Sequence, residues 1–364
     1  MYWLPAILIL PYFVFLLILY KSLLILKIFE VSKDPETFVS VVVACRNEQA
    51  ALPGLLNCIA TQRYPENLFE VIIVNDNSED KTCEIAAGFK GISNILSINN
   101  KGEGKKQALR TGINAARGDL IITTDADCTI GNNWIRTIAS FYEMYKDVMI
   151  ICPVQIESVP GFFGKLEELE FLSLQGITAG SALYNEPVMC NGANLAFTKD
   201  AYLTHSDKLH DEINSGDDIF LLHGLKDENR SKISWLESPD AMVITKSTLT
   251  LNSFIKQRSR WISKGKAYED KFTIVLGIVT FVAVILQIFY LILSSIYPSL
   301  IWLFLSVLVL KSIPDFLILM NTSGRYDKRN LMLWFLPAQL IYPFYVLLVI
   351  LYALTINSPS QKGI

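Results

Sequence analysis

Three long apolar stretches, over residues 272–293, 297–320 and 332–354, close this 364-residue chain. Each is long enough to cross a hydrocarbon core of about 30 Å as a helix rising about 1.5 Å per residue. An apolar and aromatic run over residues 2–20 has the same reach. No basic residue precedes that run and no small-residue cleavage pattern follows it, so it reads as a fourth membrane helix rather than a signal peptide. These runs explain a mean hydropathy of +0.36, which is too high for a soluble protein. The stretch between them has conventional polarity and must fold as a water-facing domain.

Basic residues beside a span stay on the cytoplasmic side. Lys256, Arg258, Arg260, Lys264, Lys266 and Lys271 precede the second span, and Arg325, Lys328 and Arg329 lie between the third and fourth. The expected topology has both chain ends outside and the polar domain in the cytoplasm. Lys311 and Asp315 fall inside the third span, where a central charge costs about 2.5–3.5 kcal/mol. Their i, i+4 spacing lets them pair. Pro314 and their place towards the cytoplasmic end favour snorkelling to the interface over a polar seam in the bundle.

The polar domain opens with Phe38-Val39-Ser40-Val41-Val42-Val43-Ala44, a β-branched run of the kind found in strands buried on both faces. Further strands are expected over residues 69–74, 95–98, 120–122 and 148–151, separated by helices over 48–61, 80–89, 105–116 and 132–146. This alternation predicts a Rossmann-like α/β domain with a mostly parallel sheet. Such sheets bind ligands beyond the carboxyl ends of their strands. There the sequence places Cys45-Arg46-Asn47-Glu48, Asn75-Asp76-Asn77-Ser78 and Thr124-Asp125-Ala126-Asp127. Asp125 and Asp127, read as the extended end of a strand, face one way and suit Mg²⁺ or Mn²⁺ shared with phosphates. Lys101-Gly102-Glu103-Gly104-Lys105 opens a helix without being a Walker A loop. Cations at a positive helix start call for an anion to offset them.

The ordered set Ala44-Cys45-Arg46-Asn47-Glu48, Val74-Asn75-Asp76-Asn77-Ser78, Gly104-Lys105-Lys106-Gln107-Ala108-Leu109, Asp125-Ala126-Asp127, Asn191-Gly192-Ala193-Asn194, Gly216-Asp217-Asp218 and Gln257-Arg258-Ser259-Arg260-Trp261 resembles the family 2 inverting glycosyltransferases of GT-A fold. It is most similar to their membrane-embedded branch, which includes ceramide glucosyltransferase and the cellulose, chitin and hyaluronan synthases. The resemblance implies that Asp76 reads the nucleotide base, with Arg46 and Glu48 lining that pocket and Lys105 near the donor phosphates. It gives Asp127 and Asp125 the metal, and Asp218, with Asp217 as competitor, the general base. Asn191 and Gly192, with Gln257, Arg260 and Trp261 on one helix face, are implied for the diphosphate and acceptor. Asn75 stands where many members carry an acid, and Ala44 and Cys45 replace a Pro-containing version.

The implied function is inverting transfer from a nucleotide-sugar, expected to be a UDP-sugar, to a lipid or lipid-linked acceptor at the cytoplasmic face of a bacterial inner membrane. The alternative is a processive synthase that also exports its polysaccharide. The expected layout is an N-terminal membrane helix (1–30), a GT-A domain (31–250), an interfacial amphipathic helix (251–271) and three C-terminal membrane helices with a short tail (272–364). A net charge of −3 argues against a nucleic-acid partner. Six cysteines without C-x-x-C spacing read as reduced packing residues. His205, His210 and His223 show no ligand spacing. Trp235, Phe162 and Phe163 are expected to touch the membrane.

Overall fold

The computed structural model describes residues 4–210, 213 and 215–356. In chain order the strands are β1 (Val39–Cys45), β2 (Phe69–Asn75), β3 (Ile95–Asn99), β4 (Leu120–Thr123), β5 (Thr129–Ile130), β6 (Met149–Ile151), β7 (Val154–Ile156), β8 (Leu195–Thr198), β9 (Ile233–Trp235) and β10 (Val243–Thr245). The helices are α1 (Leu4–Leu24), α2 (Leu52–Ala60), α3 (Thr82–Gly88), α4 (Lys105–Ala115), α5 (Trp134–Tyr145), α6 (Phe162–Leu183), α7 (Lys199–Thr204), α8 (Asp217–Asn229), α9 (Leu251–Ser263), α10 (Lys271–Ile296), α11 (Ile301–Arg325) and α12 (Phe335–Ile356). They fall into two compact units.

The α/β unit comprises Leu26–Glu157 and Asn185–Lys246. Its main sheet runs β3-β2-β1-β4-β8-β6-β9. The strands on the β3 side of β8 are mutually parallel, and β8 is antiparallel to both of its neighbours. β1 and β2 are buried along nearly their whole length, as their Val and Ile runs require. Gly112 lets α4 lie close on this sheet, because a Cβ there would come within 2.5 Å of Val42 Cγ1 and 2.8 Å of Val74 Cγ2.

Register sets the functional edge. Cys45 pairs with Asn75, and Asn75 with Asn99, so β1, β2 and β3 end level. β4 stops earlier, with Thr123 opposite Val42, which leaves the residues after it at the height of the β1 tip. Because β8 is antiparallel, its start lies where the parallel strands finish, and Leu195 opposite Thr123 brings the turn before it to the same edge.

The helical unit comprises the chain up to Ile25, Ser158–Tyr184 and the chain from Ser247 onward. Among the described residues, Lys271–Ile296, Pro298–Arg325 and Arg329–Thr355 are long and apolar enough to cross a membrane, and Ile7–Leu23 of α1 is a shorter apolar helix. The compact units therefore do not follow the linear division at residues 31–250, since α6 leaves the middle of that stretch for the helical unit. Phe162 and Phe163 start α6 and pack on Trp334 and Phe254, at ring distances of 5.3 and 5.5 Å.

Two expectations are corrected by packing. Lys311 and Asp315 do not snorkel; they are 1% and 9% exposed and paired at 2.8 Å. Tyr12 donates to Asp315 at 2.5 Å, and Gln339 both donates to Asp315 and accepts from Lys311 at 2.8 Å. The polar seam exists because a charge kept from water must be paired and hydrogen-bonded. Trp235 is no surface contact; it is buried in β9 and donates Nε1–H to Glu237 at 2.7 Å. All six cysteines are free thiols.

Candidate active site at the strand tips

The loops after β1 and β2 are tied to one another before any ligand is considered. Asn47 adopts a left-handed conformation (φ 58°), which Asn tolerates better than most residues. Its amide donates to Ser78 Oγ at 3.0 Å, and its side chain accepts from Glu79 N at 2.8 Å. Glu48 N donates to Thr82 Oγ1 at 2.7 Å. Asn75 bridges sideways, donating to Asn99 Oδ1 at 3.0 Å. An amide there can both donate and accept, whereas a carboxylate could only accept.

Asp76 is buried, and both of its oxygens are engaged. They accept Gly104 N–H at 3.0 Å, and Asn100 donates its side-chain amide to Oδ1 at 2.7 Å. The carboxylate thus fixes the Lys101–Gly104 loop at the mouth of α4, where Gly104 takes a φ of +88°. Arg46 lies on the same loop edge, exposed and 3.8 Å from Glu103, a pair too solvated to contribute much.

Lys105 opens α4, and its ammonium contacts Asp125 Oδ1. The anion that the basic helix start calls for is therefore supplied by the chain itself. Asp125, in contact with it, and then Asp217 and Asp218 hold the Lys105 ammonium protonated well above the usual lysine range.

Asp125 and Asp127 are not brought together by strand alternation. β4 has ended, and Cys128 N–H donates to Asp125 O at 3.1 Å, closing a turn across the pair. Burial, followed by repulsion from Asp125, pushes the Asp127 carboxyl above the ordinary range. Burial and then Asp127 and Asp125 do the same to Glu48. Such mutual repulsion is what a bound cation relieves, so the residues fit a divalent ion. No three ligand-type side chains among the described residues converge on one point. The protein's share would be these two carboxylates, with phosphate and water completing the shell. Lys246, just after β10, partly offsets the charge of Asp127 and Glu48, and nothing in its local sequence marks it.

The turn before β8 joins this group to the candidate base. Thr123 Oγ1 donates to Gly192 O at 3.0 Å, and Gly192 N donates to Asp218 Oδ2 at 3.1 Å. Asp218 lies in the first turn of α8 and also accepts its neighbour's amide, Ile219 N, at 2.8 Å. Asn191 shapes the turn by accepting from Ala193 N at 3.0 Å. Asn194, fully buried, donates to Pro153 O and Ala241 O and accepts from Trp134 Nε1 at 2.9 Å.

Residues 40–204, which contain most of this edge, match the family model "Glycosyl transferase family 2". The chain carries a family 2 glycosyltransferase domain. Among similar proteins is a poly-beta-1,6-N-acetyl-D-glucosamine synthase of Staphylococcus epidermidis, 26% identical over 235 residues that cover 62% of this chain and 54% of that one. An undecaprenyl-phosphate 4-deoxy-4-formamido-L-arabinose transferase of Pseudomonas paraeruginosa is 39% identical over 97 residues, covering 26% and 29%. The matched stretches thus span about a third to a half of these curated relatives. A mannosyltransferase of Pyrobaculum calidifontis, solved with GDP-Man and Mn²⁺, shares the fold with a TM-score of 0.59 and 17% identity over all of both chains.

Within the α/β unit the structure gathers Arg46, Glu48, Asp76, Lys105, Asp125, Asp127, Asn191, Gly192, Asp217 and Asp218 around one sheet edge. Gln257, Arg260 and Trp261 lie on α9 in the helical unit. On α9 the buried cation is Arg258, not Arg260, which is exposed. Arg258 bonds Glu170 at 2.9 Å through Nε, donates to Gln257 Oε1, and stacks 4.3 Å from the Trp261 ring. Helical spacing put Arg260 beside Gln257 and Trp261; only tertiary packing reveals the role of its neighbour.

Proposed function

We propose that the protein transfers a sugar, with inversion, from a nucleotide-sugar to a lipid or lipid-linked acceptor at the cytoplasmic face of a membrane. The observation that carries this reading is Lys105, whose ammonium sits in the field of both the Asp125 side and the Asp217-Asp218 side of the edge. One cation thus joins the acids suited to a donor diphosphate to the acid suited to deprotonate an acceptor. The relatives' names, a polysaccharide synthase and a lipid-phosphate sugar transferase, agree with that class of chemistry.

In this reading Asp218 takes the proton of the acceptor hydroxyl as that oxygen attacks the anomeric carbon, and the nucleoside diphosphate leaves from the opposite face. The Gly192 amide holds the Asp218 carboxylate in place. Lys105 presents its charge to the departing diphosphate, and Asp76, through Gly104 and Asn100, keeps the loop beside it in shape. A Mg²⁺ or Mn²⁺ held by Asp127 and Asp125 would neutralise diphosphate charge. Arg46 and Glu48 border the base pocket. The UDP assignment rests on resemblance, as do the roles of Asn191, Gln257, Arg260 and Trp261 at the diphosphate and acceptor.

Replacing Asp218 by Asn keeps size and removes basicity. Transfer by purified protein is expected to fall about 10²- to 10⁴-fold, while binding of the donor, followed by calorimetry, persists. Unchanged turnover would refute the assignment. The similarity to a polysaccharide synthase favours one second reading, processive synthesis. A single labelled glycolipid supports single transfer, and a ladder of lengthening products supports the synthase.

A further inference from the structure

A cavity of about 170 Å³ lies within the helical unit. At about 10–15 Å³ per enclosed water position, it has room for the polar end of a lipid and the first carbons of its chain. Leu16 of α1, Leu174 of α6, Ile318 of α11 and Ile341 of α12 contribute to its mainly apolar wall. The charged groups on that wall are Glu167, Glu170, Asp315 and Lys311, three carboxylates against one ammonium.

The ammonium is already engaged on most sides. Lys311 donates to Asp315 and Gln339, both at 2.8 Å, and lies 4.7 Å from the Tyr342 ring centre. Arg258, the cation nearest Glu170, is consumed by that carboxylate, by Gln257 and by the faces of Phe254 and Trp261. Glu167 is 1% exposed and is satisfied by Ser247 Oγ at 2.5 Å and Thr248 N at 3.2 Å, a hydroxyl and an amide in place of a cation. A phosphate entering this space would face three carboxyl groups and a single ammonium already shared between Asp315 and Gln339. A neutral hydroxyl would meet carboxylate oxygens with lone pairs to spare, since each accepts more than one hydrogen bond.

We infer that this cavity holds the polar end of a neutral, hydroxyl-bearing membrane lipid and rejects lipid phosphates. The inference rests on the reading of the acceptor as a lipid and narrows its class to a lipid alcohol. It sets this chain apart from its relative named for undecaprenyl phosphate.

The test uses full-length protein in phosphatidylcholine nanodiscs, offered a photoactivatable diacylglycerol or a photoactivatable phosphatidic acid with the same chains. Diacylglycerol is expected to label peptides of α1, α6, α11 or α12 at least tenfold more than phosphatidic acid. Filling the cavity by Ser173→Phe, or more gently by Ala338→Leu, should abolish that labelling. Glu167→Gln, which removes one of the three carboxyl groups, should raise phosphatidic acid labelling several-fold and leave diacylglycerol labelling unchanged. Equal labelling by the two lipids, labels mapping outside these helices, or indifference of phosphatidic acid to Glu167→Gln would overturn the inference. Hydrolysis of a panel of nucleotide-sugars, UDP- and GDP-linked, by the same wild-type sample separates the two readings. Selective labelling without hydrolysis supports the cavity and sinks the glycosyltransferase reading, whereas hydrolysis without labelling sinks the cavity alone.

Discussion

A carboxylate inside a sheet persists only where hydrogen bonds replace its water, and Glu70 in β2 meets that condition. It accepts from Ser40 Oγ and Arg117 N at 2.6 Å and from Arg117 Nε at 2.7 Å, tying β1 and β2 to the approach of β4. Burial works against its charge, but these bonds outweigh it and hold the carboxyl below its ordinary range. A depressed carboxyl stabilises the fold above its unfolded pKa, and that contribution is lost as pH falls through the folded value. Glu70→Gln should therefore cost about 1.5–3 kcal/mol at neutral pH, with the gap to wild type closing below the ordinary glutamate range. Thermal unfolding between pH 7 and pH 3 measures it, and a gap independent of pH would contradict the assignment. Residue types at the candidate site were visible in the sequence, since acids after apolar runs stand out. Their partners were not. That Asp76 holds Gly104, that Lys105 meets Asp125, and that Lys246 offsets Asp127 are consequences of register across strands far apart in the chain.

Elements with strong local patterns were legible, and short ones without an apolar run were not. The Val and Ile runs of β1, β2 and β4 identify themselves, whereas β5, with two residues, and β7, β9 and β10, with three each, are too brief to show a period. β8 escaped because its Leu-Ala-Phe-Thr stretch lacks a β-branched run, and with it went the antiparallel step that carries Gly192 to Asp218. α6 was hidden differently. Its glutamates are met by partners from later in the chain, as when Lys328 meets Glu168 at 2.8 Å. Its glycines let neighbours approach closely. A Cβ at Gly176 would lie 2.5 Å from Thr322 Oγ1 and 2.6 Å from Ile318 Cγ2, and one at Gly180 would lie 2.8 Å from Leu19 O. Gly176→Val should therefore force α6 and α11 apart and cost about 1–3 kcal/mol. Thermal unfolding in detergent would read this as a lower midpoint, and an unchanged midpoint would argue against the close packing.

For the whole molecule, the order in which the chain visits its two units matters more than the composition of either. It changes unit after Ile25, after Glu157, after Tyr184 and after Lys246, so neither unit is a continuous segment. A boundary drawn near residue 250 from hydropathy alone looks like a natural place to cut, because everything before it except the first helix has ordinary polarity. In the structure that cut would strip α1 and α6 of their partners. Gly176 would lose Thr322 and Ile318, and Tyr12 would lose Asp315. The lost contacts are apolar faces and one buried ionic cluster, which are costly to expose. A chain ended after Lys246 should therefore require detergent to stay in solution even after further deletion of α1, because the exposed face of α6 remains. Sedimentation after extraction without detergent, followed by fluorescence-monitored unfolding of whatever stays soluble, tests this. A soluble, cooperatively unfolding fragment would show that α6 does not depend on α11 and would return the domain boundary to where hydropathy places it.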